Sequence, residues 1–146
     1  MSNRDKSLYI IDILIASDKI SRYTDPFDNA DDFMHSELEW DAVIRELQLI
    51  GDATNILIEE CVLDHSYRRI VDFRNQIVHG YFGIDHKIVW NVVNQKIPEL
   101  VDDILEISKT CDTSQAIESA LIENSYNKAV VDYLKRLSVT VTVPGK

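Results

Sequence analysis

Arg74, His79 and Tyr81 close a single apolar segment, and each has chemistry that a packed helix has no use for. Histidine takes up or releases a proton near neutral pH, and arginine keeps a permanent charge whose planar fork matches phosphate oxygens. The pair suits cleavage of a phosphodiester. In RNA the 2′-hydroxyl attacks the neighbouring phosphorus once a base removes its proton, and the charge that develops on the phosphoryl oxygens needs a cation close by. That route proceeds without a metal ion.

The positions are as informative as the residue types. On a helix turning about 100° per residue, Ile70, Phe73 and Ile77 form one stripe flanked by Val71 and Val78, and Arg74 projects from its middle. A guanidinium there cannot shed its proton, so it needs a partner, a cleft or a second subunit. His79 follows five residues later, roughly 140° around a regular helix, so the two do not share a face within one chain. Gly80 predicts a helix end in the left-handed conformation, which turns His79 and Tyr81 away from the helix and toward Arg74. A second copy packed across a two-fold axis brings them together more simply. There is also a plain structural account: Arg74 pairs with a buried carboxylate, His79 caps the helix and Tyr81 packs its ring. Such arrangements far outnumber catalytic ones.

The spacing Arg74, four residues, His79, one residue, Tyr81 resembles the R-x-x-x-x-H-x-Y signature of the HepT-like toxins in the HEPN superfamily. Two further segments share the resemblance. Residues 41–53, with Ile50-Gly51-Asp52-Ala53, resemble the family's second helix, with Asp52 where glutamate is frequent. Phe82-Gly83-Ile84-Asp85, Val89-Trp90 and Pro98-Glu99-Leu100 resemble the entry into its last helix, so the likeness covers most of residues 8–107. The resemblance implies an all-α helical bundle, a homodimer with the motifs facing across the interface, and metal-independent RNase activity. It implies that Arg74 steadies the phosphate, His79 transfers the proton and Asn75 orients the site. It further implies a minimal nucleotidyltransferase (MNT) antitoxin as partner, which transfers AMP to Tyr81.

Composition sets the frame for these readings. A chain of 146 residues, 45% of them hydrophobic, can build one core. No run reaches the twenty or so apolar residues that span a bilayer, and the polar start Ser2-Asn3-Arg4-Asp5-Lys6 is unlike a secretory signal, so the cytoplasm is the expected location, with no membrane partner. Cys61 and Cys111 are far apart, and His35, His65, His79 and His86 show no ligand spacing, so neither a metal site nor a cofactor is expected; Cys61 reads as core. A net charge of −10 opposes RNA binding. From Ser66 to Lys87, however, Arg68, Arg69, Arg74 and Lys87 face only Asp72 and Asp85, a local net of +2. Arg68, Arg69 and Lys87 are accordingly candidate RNA contacts, or simply a solvated helix face.

Helices are expected almost throughout. Ile13, Ala16, Ile20 and Tyr23 mark the first, from about Arg4 to Tyr23. Trp40, Val43, Leu47, Ile50, Thr54, Leu57 and Cys61 alternate three and four apart, a bundle seam in which Gly51 lets another helix come close. The motif helix spans about Ser66 to His79, and a fourth runs from about Asp85 to Ser108 with a kink near Pro98. The predicted fold is therefore an up-and-down four-helix bundle over residues 1–109, carrying a helical appendage over 110–146 that packs on the bundle or on the dimer partner. Alternating Val139, Val141 and Val143 read as a short strand. Three functions fit: an RNase toxin, a non-catalytic regulatory or substrate-binding subunit of a nucleotidyltransferase, and a structural dimer with a buried Arg74 ion pair.

Overall fold

The computed structural model describes residues 2–80 and 83–141, and among these there is no strand. The first helix, α1 (Asn3–Thr24), starts at Ser2, whose hydroxyl accepts from the Asp5 amide. Its residues Ile10, Ile13, Leu14 and Ile20 are wholly buried. Burial on this scale comes from neighbours on several sides: α1 packs on α3 (Glu37–Glu59), on α6 (Ile97–Ser108), and on α7 (Ser114–Glu123) and α8 (Lys128–Thr140). The short α2 (Ala30–His35) places Phe33 as a plug among Phe27, Trp40 and Trp90, with ring centroids 5.2–5.8 Å apart.

The seam predicted on α3 is buried at Val43, Leu47, Ile50, Thr54 and Leu57, but it stops short of Cys61. Cys61 is exposed and sits at φ 59, just beyond the helix end, so it is a turn residue and not core. A 3-10 turn over His65–Tyr67 leads into α4 (Arg68–His79), which carries the motif. The Tyr67 hydroxyl donates to the Asp103 carboxylate of α6 and fastens that end of α4. Burial and the surrounding carboxylates push its phenol well above the usual range.

Beyond the motif, α5 (His86–Asn91) and α6 form one long helix interrupted by a π turn over Val92–Lys96. The expected irregularity thus precedes Pro98 and takes this form: proline offers no N–H and its ring crowds the carbonyl four residues back, and a widened turn relieves both. The predicted strand is absent at Val139, which lies in α8. Val130, Leu134, Leu137 and Val141 are buried at helical spacing, and a helix satisfies its own backbone where no strand is at hand to pair with. Val143 lies outside the described residues. The hairpin of α7 and α8 lies against α1 of the same chain, and the Ser7 hydroxyl donates to the Asp112 carbonyl at 3.1 Å.

Two outcomes follow from this packing. Leu134 is fully buried, so Leu134→Ala should cost about 2–5 kcal/mol in denaturant unfolding if α8 belongs to the cooperative unit, and little if it does not. Asp12 on α1 has its carboxyl raised from 3.8 to about 6, by burial first and then by Glu123 of α7. A raised folded-state value means stability that is complete below about pH 4 and lost as pH climbs through 6. Asp12→Asn should therefore raise Tm at pH 7 and bring no gain at pH 4, the effect being softened because the side chain reaches solvent.

Candidate active site

The site is built where α4 crosses α3. Ile70, Val71, Phe73 and Ile77 are buried and hold α4 in place, so Arg74 is drawn onto the same apolar contact with nowhere to leave it. Gly51 makes room. A Cβ at that position would fall inside contact distance of Arg74 Cβ and 2.5 Å from its Cγ, so the arginine stem lies directly on the glycine. A glycine inside a helix costs about 1 kcal/mol relative to alanine, a penalty accepted here for close approach.

At the far end of that stem, Arg74 Nε comes within 2.7 Å of Asp52 Oδ1. The N–H is not aimed along that line, so the contact is a close ion pair and Nε itself is buried without an aligned hydrogen bond. The Asp52 side chain is 59% exposed and that of Arg74 27%, so the pair is not buried. Partly exposed pairs contribute about 1 kcal/mol or less, which makes this one a poor stabilising device and a good positioning one. Arg74 Nη1 donates to Asn75 Oδ1 at 3.3 Å. The remaining guanidinium N–H groups have no partner among the described residues and are free for phosphate oxygens.

His79 is the last residue of α4 and is exposed. It lines a cleft of 560 Å³ with Asn75, Gln76 and Asp85 over an apolar floor of Phe73 and Ile88. Gly80 does not end the helix in the left-handed conformation as predicted; its φ is −83. It is needed for a different reason: a Cβ there would come 2.6 Å from the Gln76 carbonyl oxygen. The positive φ belongs to Gly83. Without the left-handed turn His79 keeps the helical course and does not swing toward Arg74. No hydrogen bond or ion pair joins the two among the described residues. Asn75 is the intermediary, since it touches the guanidinium and lines the histidine's cleft.

The other expected residues scatter. Arg68 Nη1 donates to Asn55 Oδ1 at 2.9 Å and ties α4 to α3. Arg69 lines a second cleft that adjoins the first on the flank of α4 facing α5 and α6, and Lys87 is exposed on the first turn of α5, lining neither cleft. Tyr81 lies outside the described residues. His86 does not meet His79; its Nε2 lies 2.6 Å from Asp31 Oδ1 and pins α5 to α2. No cluster of three or more metal-ligating side chains occurs among the described residues, and none of their helices is long and apolar enough to cross a membrane.

A helical bundle with an arginine clamped between two helices and a histidine at the helix end is an all-α, HEPN-like architecture. The family described as "Ribonuclease HepT-like" matches residues 13–107, from within α1 to near the end of α6. The chain belongs to this family and is a ribonuclease of the HEPN type. It is 29% identical over 107 residues to "Putative RNase MJ1380" of Methanocaldococcus jannaschii, spanning 71% of this chain and 97% of that protein. It is 30% identical to "Putative RNase MJ0127" of the same organism, spanning 75% of this chain and 92% of the relative. It is also 30% identical to "Probable ribonuclease HepT" of Thermococcus cleftensis, over 63% and 86% respectively. No solved structure matches.

Sequence reasoning noticed Gly51 as a packing notch and Asp52 as a family position, but it did not join either to Arg74. Their placement within one turn of each other on the seam helix, opposite an arginine that needed a partner, was the available signal. Asp52→Asn should change stability by less than about 1 kcal/mol, as a partly exposed pair would, yet lower RNA cleavage about tenfold or more, with Asp52→Glu restoring most of it. Equal cleavage by all three proteins would remove Asp52 from the site.

Proposed function

We propose that this chain is the toxin of a HepT/MNT-type toxin-antitoxin system, a metal-independent endoribonuclease that works as a homodimer in the cytoplasm. His79 takes the proton of a ribose 2′-hydroxyl; the 2′-oxygen bonds to phosphorus, the P–O5′ bond breaks, and the 5′-oxygen leaves with a proton from water, giving a 2′,3′-cyclic phosphate. Arg74 faces the phosphoryl oxygens as charge builds on them, and Asn75 holds the guanidinium plane. The observation that carries the dimer is that Arg74 and His79 are about 140° apart on α4, with no hydrogen bond or ion pair between them among the described residues. A two-fold partner supplies the missing half of each site. Leu49, 39% exposed and three residues before Asp52, and Val78, 40% exposed and one turn after Arg74, give this ridge an apolar seam for the second copy.

The antitoxin, an MNT-type nucleotidyltransferase, restrains the toxin by binding and by modifying Tyr81. The phenol loses its proton to solvent, its oxygen attacks the α-phosphorus of ATP and pyrophosphate departs, leaving an AMP group on Tyr81. A net charge of −10 also favours a second reading, a non-catalytic subunit that docks a basic nucleotidyltransferase.

His79→Ala and Arg74→Ala should each reduce cleavage of a labelled RNA by about 10²–10⁴-fold while the proteins stay folded and dimeric. Undiminished cleavage by both variants would place the active site elsewhere, and absence of cleavage by the parent protein would favour the non-catalytic reading. After incubation with the partner and ATP, intact-mass measurement should show one added adenylyl group per chain, absent from Tyr81→Phe. Undiminished addition to Tyr81→Phe would place the modification elsewhere.

A further inference from the structure

We propose that the cleft between α4 and the α5–α6 helix holds a nucleobase of single-stranded RNA, beside the phosphodiester presented to His79. The inference rests on the ribonuclease reading above. The cleft, of about 590 Å³, shares Phe73, Gln76 and Ile88 with the cleft that His79 lines, so the two form one continuous path along α4. The volume is within the range of ordinary small-ligand sites, about 300–1,000 Å³.

Its chemistry is that of a base and not of a phosphate. Phe73 forms the floor and Ile88, 49% exposed, the lip, so a flat ring has apolar surface to lie on. Gln76 stands on the α4 wall and Asn91 on the opposite one. Neither side-chain amide makes a hydrogen bond to any described residue, so each offers a donor and an acceptor to a base edge. The charged groups in the cleft cancel, Arg69 and Lys96 against Asp72 and Glu99. A polyanionic backbone gains nothing from a neutral slot, whereas carboxylates beside an apolar floor accept from exocyclic amino groups.

The π turn completes the slot. Asn91 and Lys96 are five residues apart and would diverge by about 140° on an α-helix. Here the Ile97 amide donates to the Val92 carbonyl, the five-residue closure of a π turn, and groups five apart come onto one wall. Lys96 is thereby turned into the cleft next to Asn91, where it can meet the phosphate flanking the bound base. The exposed apolar residues suited to a second copy, Leu49 and Val78, line neither this cleft nor the one beside it.

The test uses the full-length protein with short fluorescent oligoribonucleotides, measuring kcat and KM for Gln76→Ala and Asn91→Ala separately. Each should raise KM about tenfold, change kcat much less, and flatten the preference among A, C, G and U next to the cut. His79→Ala is run alongside. If it still cleaves, the ribonuclease site itself is misassigned. If it is inactive while both amide variants keep the parental KM and base preference, the ribonuclease reading stands and the base site is refuted. Sedimentation of the same amide variants supplies the remaining arm: loss of the dimer in Gln76→Ala or Asn91→Ala would show that a second copy fills the cleft, and would overturn the proposal.

Discussion

Arg74 lies across Gly51 with its charge against Asp52, and the arrangement of this end of the molecule follows from that contact. The arginine is carried into an apolar seam by its neighbours Ile70, Phe73 and Ile77, which are buried whether or not the charge finds a partner. Only a residue without a side chain on α3 lets the stem pass, and only a carboxylate next to it gives the guanidinium a fixed direction. With α4 committed to α3 in this way, its other flank stands off from the α5–α6 helix, and the two clefts open there. Positioning, not stability, is what a half-exposed pair of this kind supplies.

The electrostatics have the same local character. An acidic chain of net −10 has no general affinity for nucleic acid, so binding must depend on a few directed groups. In the proposed reaction Arg74 is the directed cation at the phosphate, and Lys96 reaches the path through a π turn. Arg68 is spent on Asn55, and Lys87 stands apart. A basic strip counted along residues 66–87 is therefore not a basic strip in space: a helix distributes consecutive charges around its axis.

How far the fold could be read from the residues depended on whether a feature was periodic. The three-four seam from Trp40 to Leu57, the misplaced Arg74 and the amphipathic α1 follow from spacing alone, and each is found where spacing put it. Features that break a period were lost. Cys61 continues the seam numerically, yet the helix has already ended in a left-handed turn. Val139 and Val141 alternate like a strand, but the longer pattern through Val130, Leu134 and Leu137 is helical and wins because its whole face is buried. The π turn has no period to betray it, and with it Asn91 and Lys96 went unnoticed. At the site, the types of Arg74, Asn75 and His79 were legible; the notch and the acid that aim Arg74 became visible only once α3 and α4 were laid together.

In the proposed function the site is shared between two copies, each giving what the other's helix faces away from. Mixing is the direct measurement. Arg74→Ala and His79→Ala, each inactive alone, are unfolded together, refolded at equal concentration and assayed for RNA cleavage. A shared site predicts recovery to about a quarter of parental activity, since half the dimers are mixed and each mixed dimer holds one complete Arg74–His79 pair. A mixture as inactive as its components, with mixed dimers verified by mass, would contradict it and place both residues in one chain's site.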